Sequence, residues 1–573
     1  MKFKLKTITS ALVTGGILLG SHSAFANDSD ELEKLRALVQ DLDQKIRVLD
    51  RKNELAEEAA AAKKKETPIL NASEKGFGFK SADGNFEIKL KGVVQADGRY
   101  FESGQNTVTQ AASGASTAGY LTSEDANTGS LLRRVRPTIE GTVFDKYDFR
   151  FTEEFGEDKV TSNSGIVDAY IDARFDPSFK LRVGKFKPFV GLERLQSAAD
   201  IKFIERSYVT NALLPNRDLG AAIHGDLFEG KLNYSLGIYN GVADGGDIKT
   251  SADVNKDKDY SARLFATPFK NDDTPLAGLG FGLAATYGDV SGQVKDTVNG
   301  STSELTSGYK SEGQQTIFKY IDGTVLRSGL GGTASNVVGT PSVSGVASDP
   351  GADWLAKADG RRYRFAPQAS YYYGPFGVLA EYARVSEQVG VGRTSANTVT
   401  LNHEAWEIGA SYLVTGEDAS FKGVKPKQNF DFNKGTWGAW ELAARYSELN
   451  LDDDTFVFGT SSGAIAGNSV TKAQATALNT TKHWLYADPK TSVKSAHTWT
   501  TGINWYLNPE VKFSLNYLYT TFDGGGGPET STGTPRAGTG TLVSNNSASL
   551  TSNAKAKDRE DEKAIFVRAQ IAF

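Results

Sequence analysis

The chain closes on Ala564–Ile565–Phe566–Val567–Arg568–Ala569–Gln570–Ile571–Ala572–Phe573. In an extended strand, successive side chains point to opposite faces. Ile565, Val567, Ala569, Ile571 and Phe573 therefore share one face, and Arg568 and Gln570 share the other. A last strand that is greasy on one side and basic or polar on the other fits a wall between lipid and water. That single element predicts an all-β fold, a transmembrane antiparallel β-barrel.

The same alternation recurs along the chain. Strands are expected near 86–101, 131–144, 147–155, 166–175, 179–187, 218–228, 231–240, 259–269, 279–289, 361–373, 376–387, 403–414, 435–449, 497–507, 510–520 and 563–573. The sum is about 16 strands, an even number as bacterial barrels require. Asp145–Lys146, Asp176–Pro177–Ser178, Glu229–Gly230, Gly374–Pro375 and Asn508–Pro509 are short turn signals after even-numbered strands. Links after odd-numbered strands are mostly long, with 290–360, 450–496 and 521–562 the extremes. That pattern puts both ends of the barrel in the periplasm. The segment 415–434 breaks it, being long where a short turn belongs, which counts against the strand boundaries there. The rival is a soluble all-β protein. It would have to bury the row Trp440, Leu442, Ala444 and Tyr446 and the row Trp499, Ile503 and Trp505, which suit a lipid face with interfacial aromatics.

Ahead of the barrel stand two other segments. Lys2, Lys4 and Lys6 precede the apolar run Ile8 to Leu19, and Ala24–Phe25–Ala26 follows. This reads as a signal peptide over 1–26, the run being too short for a retained membrane anchor. Leu32, Leu35, Val39, Leu42, Ile46 and Leu49 then recur at alternating steps of three and four, the seam of a coiled coil. The expected organisation is a signal peptide at 1–26, a periplasmic coiled coil at 27–66, a linker at 67–75 and a barrel at 76–573. Val39 and Ile46 at a positions with leucine at d favour two strands, and Asn53 at an a position agrees. The competing reading is one amphipathic helix lying on its own protein. With no cysteine, stability must come from pairing and packing rather than disulfides.

Several stretches resemble one known family. They include GFGFKSADGNF at 76–86, QADGRY at 95–100, LLRRVRPTIEGTV at 131–143, DAYIDARF at 168–175 and RVGKFKPFVGLERLQS at 182–197. LPNRDLGAAIHGDLF at 214–228, RRYRFAPQASYYYGPFG at 361–377, TWGAWELAARYSEL at 436–449 and the closing EKAIFVRAQIAF complete the set. Together they resemble the phosphate-selective porin O and P family. The resemblance implies a homotrimer of sixteen-stranded outer-membrane channels that favour anions. The trimer conflicts with the two-strand preference of the heptads, and the barrel is the better guide because heptad rules are tendencies.

Strand parity then sorts the charges. It turns Arg99, Arg134, Arg136, Arg150, Arg174, Arg182, Arg263, Arg362, Arg364 and Arg445 toward the water column, with Lys512 and Arg568, and Asp168 among several interleaved carboxylates. A guanidinium donates two parallel hydrogen bonds to one oxyanion, so a row of them can hand an anion along. The competing reading is that these arginines pair with carboxylates and merely brace the wall. The third long link, 188–215, is where large porins fold a segment inward, and its cations are Arg194, Lys202 and Arg206. Lys185 and Lys187 precede it, where parity is unreliable.

Five dispersed histidines and no cysteine leave no metal-ligand spacing, and no nucleophile with a histidine base is marked. Asp452–Asp453–Asp454 reads as solvated loop charge rather than a calcium site. The expectation is therefore not an enzyme, without cofactor or metal, and with no nucleic-acid partner. It is a porin preferring small anions such as phosphate, pyrophosphate or polyphosphate. The alternative is a general, low-selectivity porin whose coiled coil tethers the outer membrane to the cell wall or a periplasmic partner.

Overall fold

The computed structural model describes residues 28–66, 68–73, 76–105, 107–110, 119–122, 126, 128–156, 165–248, 256–292, 303–321, 355–392, 396–459, 482–529, 541–544 and 553–573. The expected signal peptide lies outside them. Two compact units emerge, an N-terminal helix and a barrel.

The helix α1 spans Asp28–Glu66. Asp41 pairs with Lys45 at 2.7 Å and Asp43 with Arg47 at 2.9 Å, each one turn apart with the acid on the N-terminal side, the favourable order on a helix. Leu35, Val39, Leu42, Ile46 and Leu49 all stand exposed along its length.

The barrel strands are β1 (Phe86–Ser103), β2 (Gly129–Val143), β3 (Tyr147–Glu154), β4 (Gly165–Asp176), β5 (Phe179–Phe186), β6 (Asp218–Leu227), β7 (Leu232–Tyr239) and β8 (Asp259–Ala266). They continue as β9 (Leu279–Ser291), β10 (Ala356–Tyr373), β11 (Phe376–Val391), β12 (Ala396–Leu413), β13 (Ala439–Asn450), β14 (Val493–Tyr506), β15 (Val511–Pro528) and β16 (Glu562–Ala572). Each pairs antiparallel with the next. β16 returns to β1 through pairs such as Ile571↔Val94 and Val567↔Gly98, closing a sixteen-stranded wall with no open edge. Every expected strand range falls on one of these.

Alternation explains the wall. Ile88, Leu90, Ile139, Leu283, Phe365, Leu442, Ile503, Leu515 and Val567 project outward and are exposed. Their neighbours Gln95, Arg134, Arg364, Glu441, Asn504 and Arg568 project inward and are buried by what fills the lumen. Outside, Trp440 stacks on Trp505 with centroids 5.1 Å apart, and Tyr446 sits 4.8 Å from Trp499. These are the aromatics that gather at membrane interfaces.

Two of the short turns take both central residues into the left-handed region, Phe144 and Asp145 (φ 52° and 57°) and Phe228 and Glu229 (φ 53° and 56°). That conformation matches the right-handed twist of the flanking strands. Two expectations need correcting at this end of the barrel. Part of the presumed linker, Ile69–Ser73, is a strand. It pairs with Gly76–Lys80, which in turn pairs with β1 through Phe77↔Leu90, just past the point where β16 ends. The long link between β12 and β13 is real rather than a boundary error. Its Ala419 and Val424 are buried with Leu413, Ala439 and Tyr506, so a small apolar cluster anchors it.

Candidate functional site

Two long links fold into the lumen. Residues 187–217, between β5 and β6, cross it. An irregular link has backbone groups that must be satisfied away from bulk water, and the polar inner row of the wall does this. Gln95 Nε2 donates to the Ala198 carbonyl (3.0 Å), and Lys512 Nζ to those of Ala199 and Ile201 (3.1 and 2.9 Å). Arg568 Nη1 donates to the Ile204 carbonyl (2.8 Å), Gln368 Nε2 donates to that of Val190 (2.8 Å), and Asn516 Oδ1 accepts from the Ile204 N–H (2.6 Å). The second link enters between β9 and β10. Its strands Tyr309–Lys310 and Thr316–Phe318 form a hairpin, and Tyr309, Ile317 and Phe318 join a large buried apolar cluster against β10 to β14. That side of the lumen is filled.

Most sequence-predicted arginines brace this packing. Arg445 contacts Glu193 and Glu312 at 3.2 and 2.6 Å, and Arg364 holds Asp244 at 2.8 Å. Arg362 holds Asp259 at 2.9 Å, and Arg99 holds Glu205 at 2.7 Å. Arg134 donates to Gln95 (2.7 Å) and Arg263 to Gln368 (2.9 Å). Arg174 pairs with Asp148 (2.8 Å) beside the β2–β3 turn. The loop cations are fastened too. Lys202 meets Glu441 (3.2 Å), Arg206 donates to the Gln196 carbonyl (2.9 Å), and Arg194 reaches Asn216 Oδ1 (2.8 Å) and the Thr210 carbonyl.

The remaining three arginines and Asp168 come together. Arg136, Arg150, Arg182 and Asp168 line a cavity of about 220 Å³ between the wall at β2 to β5 and the inward loop, with Lys187 and Arg217 from that loop. Arg136 is held by Glu154 (2.6 Å), Arg182 by Asp172 (2.5 Å) and Arg217 by Asp168 (3.0 Å). Arg182 also lies over the Tyr170 ring, 4.3 Å from its centroid. Arg150 is the loosest, 3.7 Å from Glu140 and partly exposed. Lys187 donates to the carbonyls of Arg194 (2.7 Å) and Gln196 (3.0 Å), and among the described residues it has no ion-pair partner. Burial and the guanidiniums of Arg206 and Arg217 hold its ammonium well below the usual lysine range.

This cavity shares Thr138, Arg150 and Ser197 with a wider one of about 860 Å³ at the short-turn end. There Lys89, Lys91, Lys422, Lys427 and Lys512 outnumber Asp200, Glu417 and Asp418. The two cavities adjoin at these shared residues, and cations predominate in both.

The sequence reading named Lys187 without assigning it to the site, and it missed Arg217 and Arg133. Lys187 sits one residue past β5, where alternation stops. Arg217 precedes β6, and a close pair of like cations across the loop has no periodic signal. Arg133 binds Glu205 through both carboxylate oxygens (2.7 and 3.1 Å), because a bulge opposite Gln95 and Ala96 leaves it an extra residue in β2. Parity alone turns it toward lipid.

A closed sixteen-stranded barrel with a lipid-facing apolar skin and a charged lumen is a porin, a channel rather than an enzyme. The chain matches the family described as phosphate-selective porin O and P over residues 110–326 and 352–529, and it belongs to that family of the outer membrane. It is 23% identical over 463 residues to Porin O of Pseudomonas aeruginosa, covering 78% of this chain and 86% of that protein. Among solved structures it resembles the outer membrane channel DcaP of Acinetobacter baumannii at 11% identity, with a TM-score of 0.41 and coverage of 87% of this chain and 99% of that one. The anion-selective porin from Comamonas acidovorans aligns at 11% identity, with a TM-score of 0.38 and coverage of 85% and 100%.

Proposed function

We propose that this porin is a diffusion channel preferring small anions, with phosphate, pyrophosphate or polyphosphate as its solutes. The observation that carries the reading is the narrow cavity where Arg136, Arg150, Arg182, Lys187 and Arg217 face Asp168. An ion entering a passage of that size sheds part of its hydration shell, and guanidinium N–H groups replace the lost water. Three of the arginines already spend one edge on a carboxylate. That fixes their planes, leaves other N–H groups for the solute, and keeps the site from binding too tightly to release. Arg150 supplies charge that no hydrogen-bonded carboxylate offsets, and Lys187 adds its own while it is protonated. The lysines of the wider cavity extend the same attraction toward the short-turn end, which this reading assigns to the periplasm.

The helix α1 acts on the periplasmic side. Its exposed leucine seam supports self-association, and membership of the family supports a homotrimer; the coil then bridges the outer membrane to the cell wall or a periplasmic partner. Reversal potentials across a planar bilayer with a salt gradient test the channel reading. An anion-selective potential and block of chloride current by phosphate are expected. A cation-selective pore insensitive to phosphate refutes it.

A further inference from the structure

Both inward links are fastened to the wall at one place. Loop 187–217 brings Glu193, the hairpin link brings Glu312, and the wall brings Glu381, Glu407 and Arg445. Arg445 Nη1 lies 3.2 Å from Glu193 Oε1 and 3.9 Å from Glu407 Oε2, and its Nη2 lies 2.6 Å from Glu312 Oε2. Glu381 accepts the N–H groups of Leu192 (2.7 Å) and Glu193 (3.2 Å). Glu193 Oε2 accepts the N–H and hydroxyl of Ser207, and Glu312 Oε2 accepts the Thr500 hydroxyl. The other oxygens of Glu312 and Glu407 are buried with no hydrogen-bond partner. A cavity of about 40 Å³, room for one water, lies against Glu193 and Glu407.

The other charged and titratable groups around the cluster are engaged elsewhere. Lys202 is taken by Glu441, Arg263 by Gln368, and Tyr208 by Thr498. Glu205 is taken by Arg99 and Arg133, Glu562 by Ser311, and Arg206 by backbone carbonyls. Three carboxylates, Glu193, Glu312 and Glu407, therefore share the Arg445 guanidinium where water is scarce, with Glu381 beside them on backbone N–H groups, and keeping all of them ionised at neutral pH is costly. Protonating one of these carboxyls removes a buried charge whose second oxygen no donor meets. Among the described residues no group is placed to hold a metal ion instead.

We propose that this cluster is a proton-operated latch on the pore. With a proton on Glu312 or Glu407, the hairpin of residues 309–318 and the turn at Glu193 stay against β12 to β14. Losing that proton sets like charges against each other and frees the hairpin into the lumen. Burial pushes the Glu312 carboxyl above its ordinary range despite Arg445, which agrees with the geometry. The inference rests on the channel reading but not on its selectivity.

The test uses the full chain in planar bilayers from about pH 5 to about pH 10. Open-channel noise is expected to rise several-fold through one alkaline transition, and Glu407→Gln or Glu312→Gln, each a fixed proton surrogate, to move that transition up by about one pH unit or abolish it. Noise that stays flat with pH, or a transition that both variants leave in place, overturns the latch. Reversal potentials from the same traces judge anion preference separately, so either idea can fail alone. If neither variant folds, hydrogen-exchange protection factors of residues 309–318 in the unaltered protein decide. A drop of about tenfold across the transition supports the latch, and constant protection refutes it.

Discussion

Arg150→Ala separates a working charge from a bracing one. Arg150 has no carboxylate within hydrogen-bonding distance and is partly exposed, so its loss removes field without exposing a buried partner. A permeating anion passes roughly 5 Å from the guanidinium in a water-filled lumen, where the pair energy is about 0.8 kcal/mol at the dielectric constant of water. Screening at physiological salt cuts this to about 0.5 kcal/mol, and the low-dielectric wall raises it again to about 1 kcal/mol. Attraction lost by an anion equals repulsion lost by a cation. The anion-to-cation permeability ratio therefore falls by about 5- to 30-fold, since each 1.4 kcal/mol is a factor of ten. The assay is the zero-current potential across a bilayer with a tenfold potassium chloride gradient. The folded fraction, read from heat-modifiable gel mobility, should not change. An unchanged ratio in a correctly folded Arg150→Ala channel means the path does not run past this wall.

Arg445→Met should behave in the opposite way. It strands Glu193, Glu312 and Glu407, costs about 3 to 5 kcal/mol, and lowers the melting temperature of the barrel; an unchanged melt refutes the bracing role. Lys187 gives a pH signature. Its folded-state value lies below the unfolded one, so the ionised form costs stability at low pH, and the barrel gains stability as pH rises through that value toward the ordinary lysine range. Anion attraction falls as pH passes the folded-state value itself. The loss of anion preference before ordinary lysines titrate should vanish in Lys187→Arg and be present at every pH in Lys187→Met. For the helix, the double change Leu42→Asp with Ile46→Asp should abolish chemical cross-linking between α1 segments while reversal potentials hold; undiminished cross-linking rejects the seam.

The wall was legible in the sequence because a lipid–water boundary imposes strict alternation, and rows such as Ile565, Val567 and Ile571 carry it plainly. The turn at 414–438 was less so, because what holds it is Ala419 and Val424 packing on the distant Tyr506. The site was legible only in part. Parity turned most of the arginines inward, yet it says nothing of which ones a folded-in loop will occupy. That is decided by contacts between residues hundreds apart, such as Arg445 with Glu193, for which local periodicity has no signal. The hairpin around Glu312, with its composition of an ordinary outer loop, gave no warning that it enters the lumen.

The pairing of β16 with β1 has a consequence for biosynthesis. Phe566 must meet Arg99 before the cylinder exists, so a polypeptide halted by a premature stop codon lacks its seam partner. Such a fragment presents two raw edges that hydrocarbon will not accept. Nonsense alleles should therefore yield debris for proteases rather than leaky holes in the envelope.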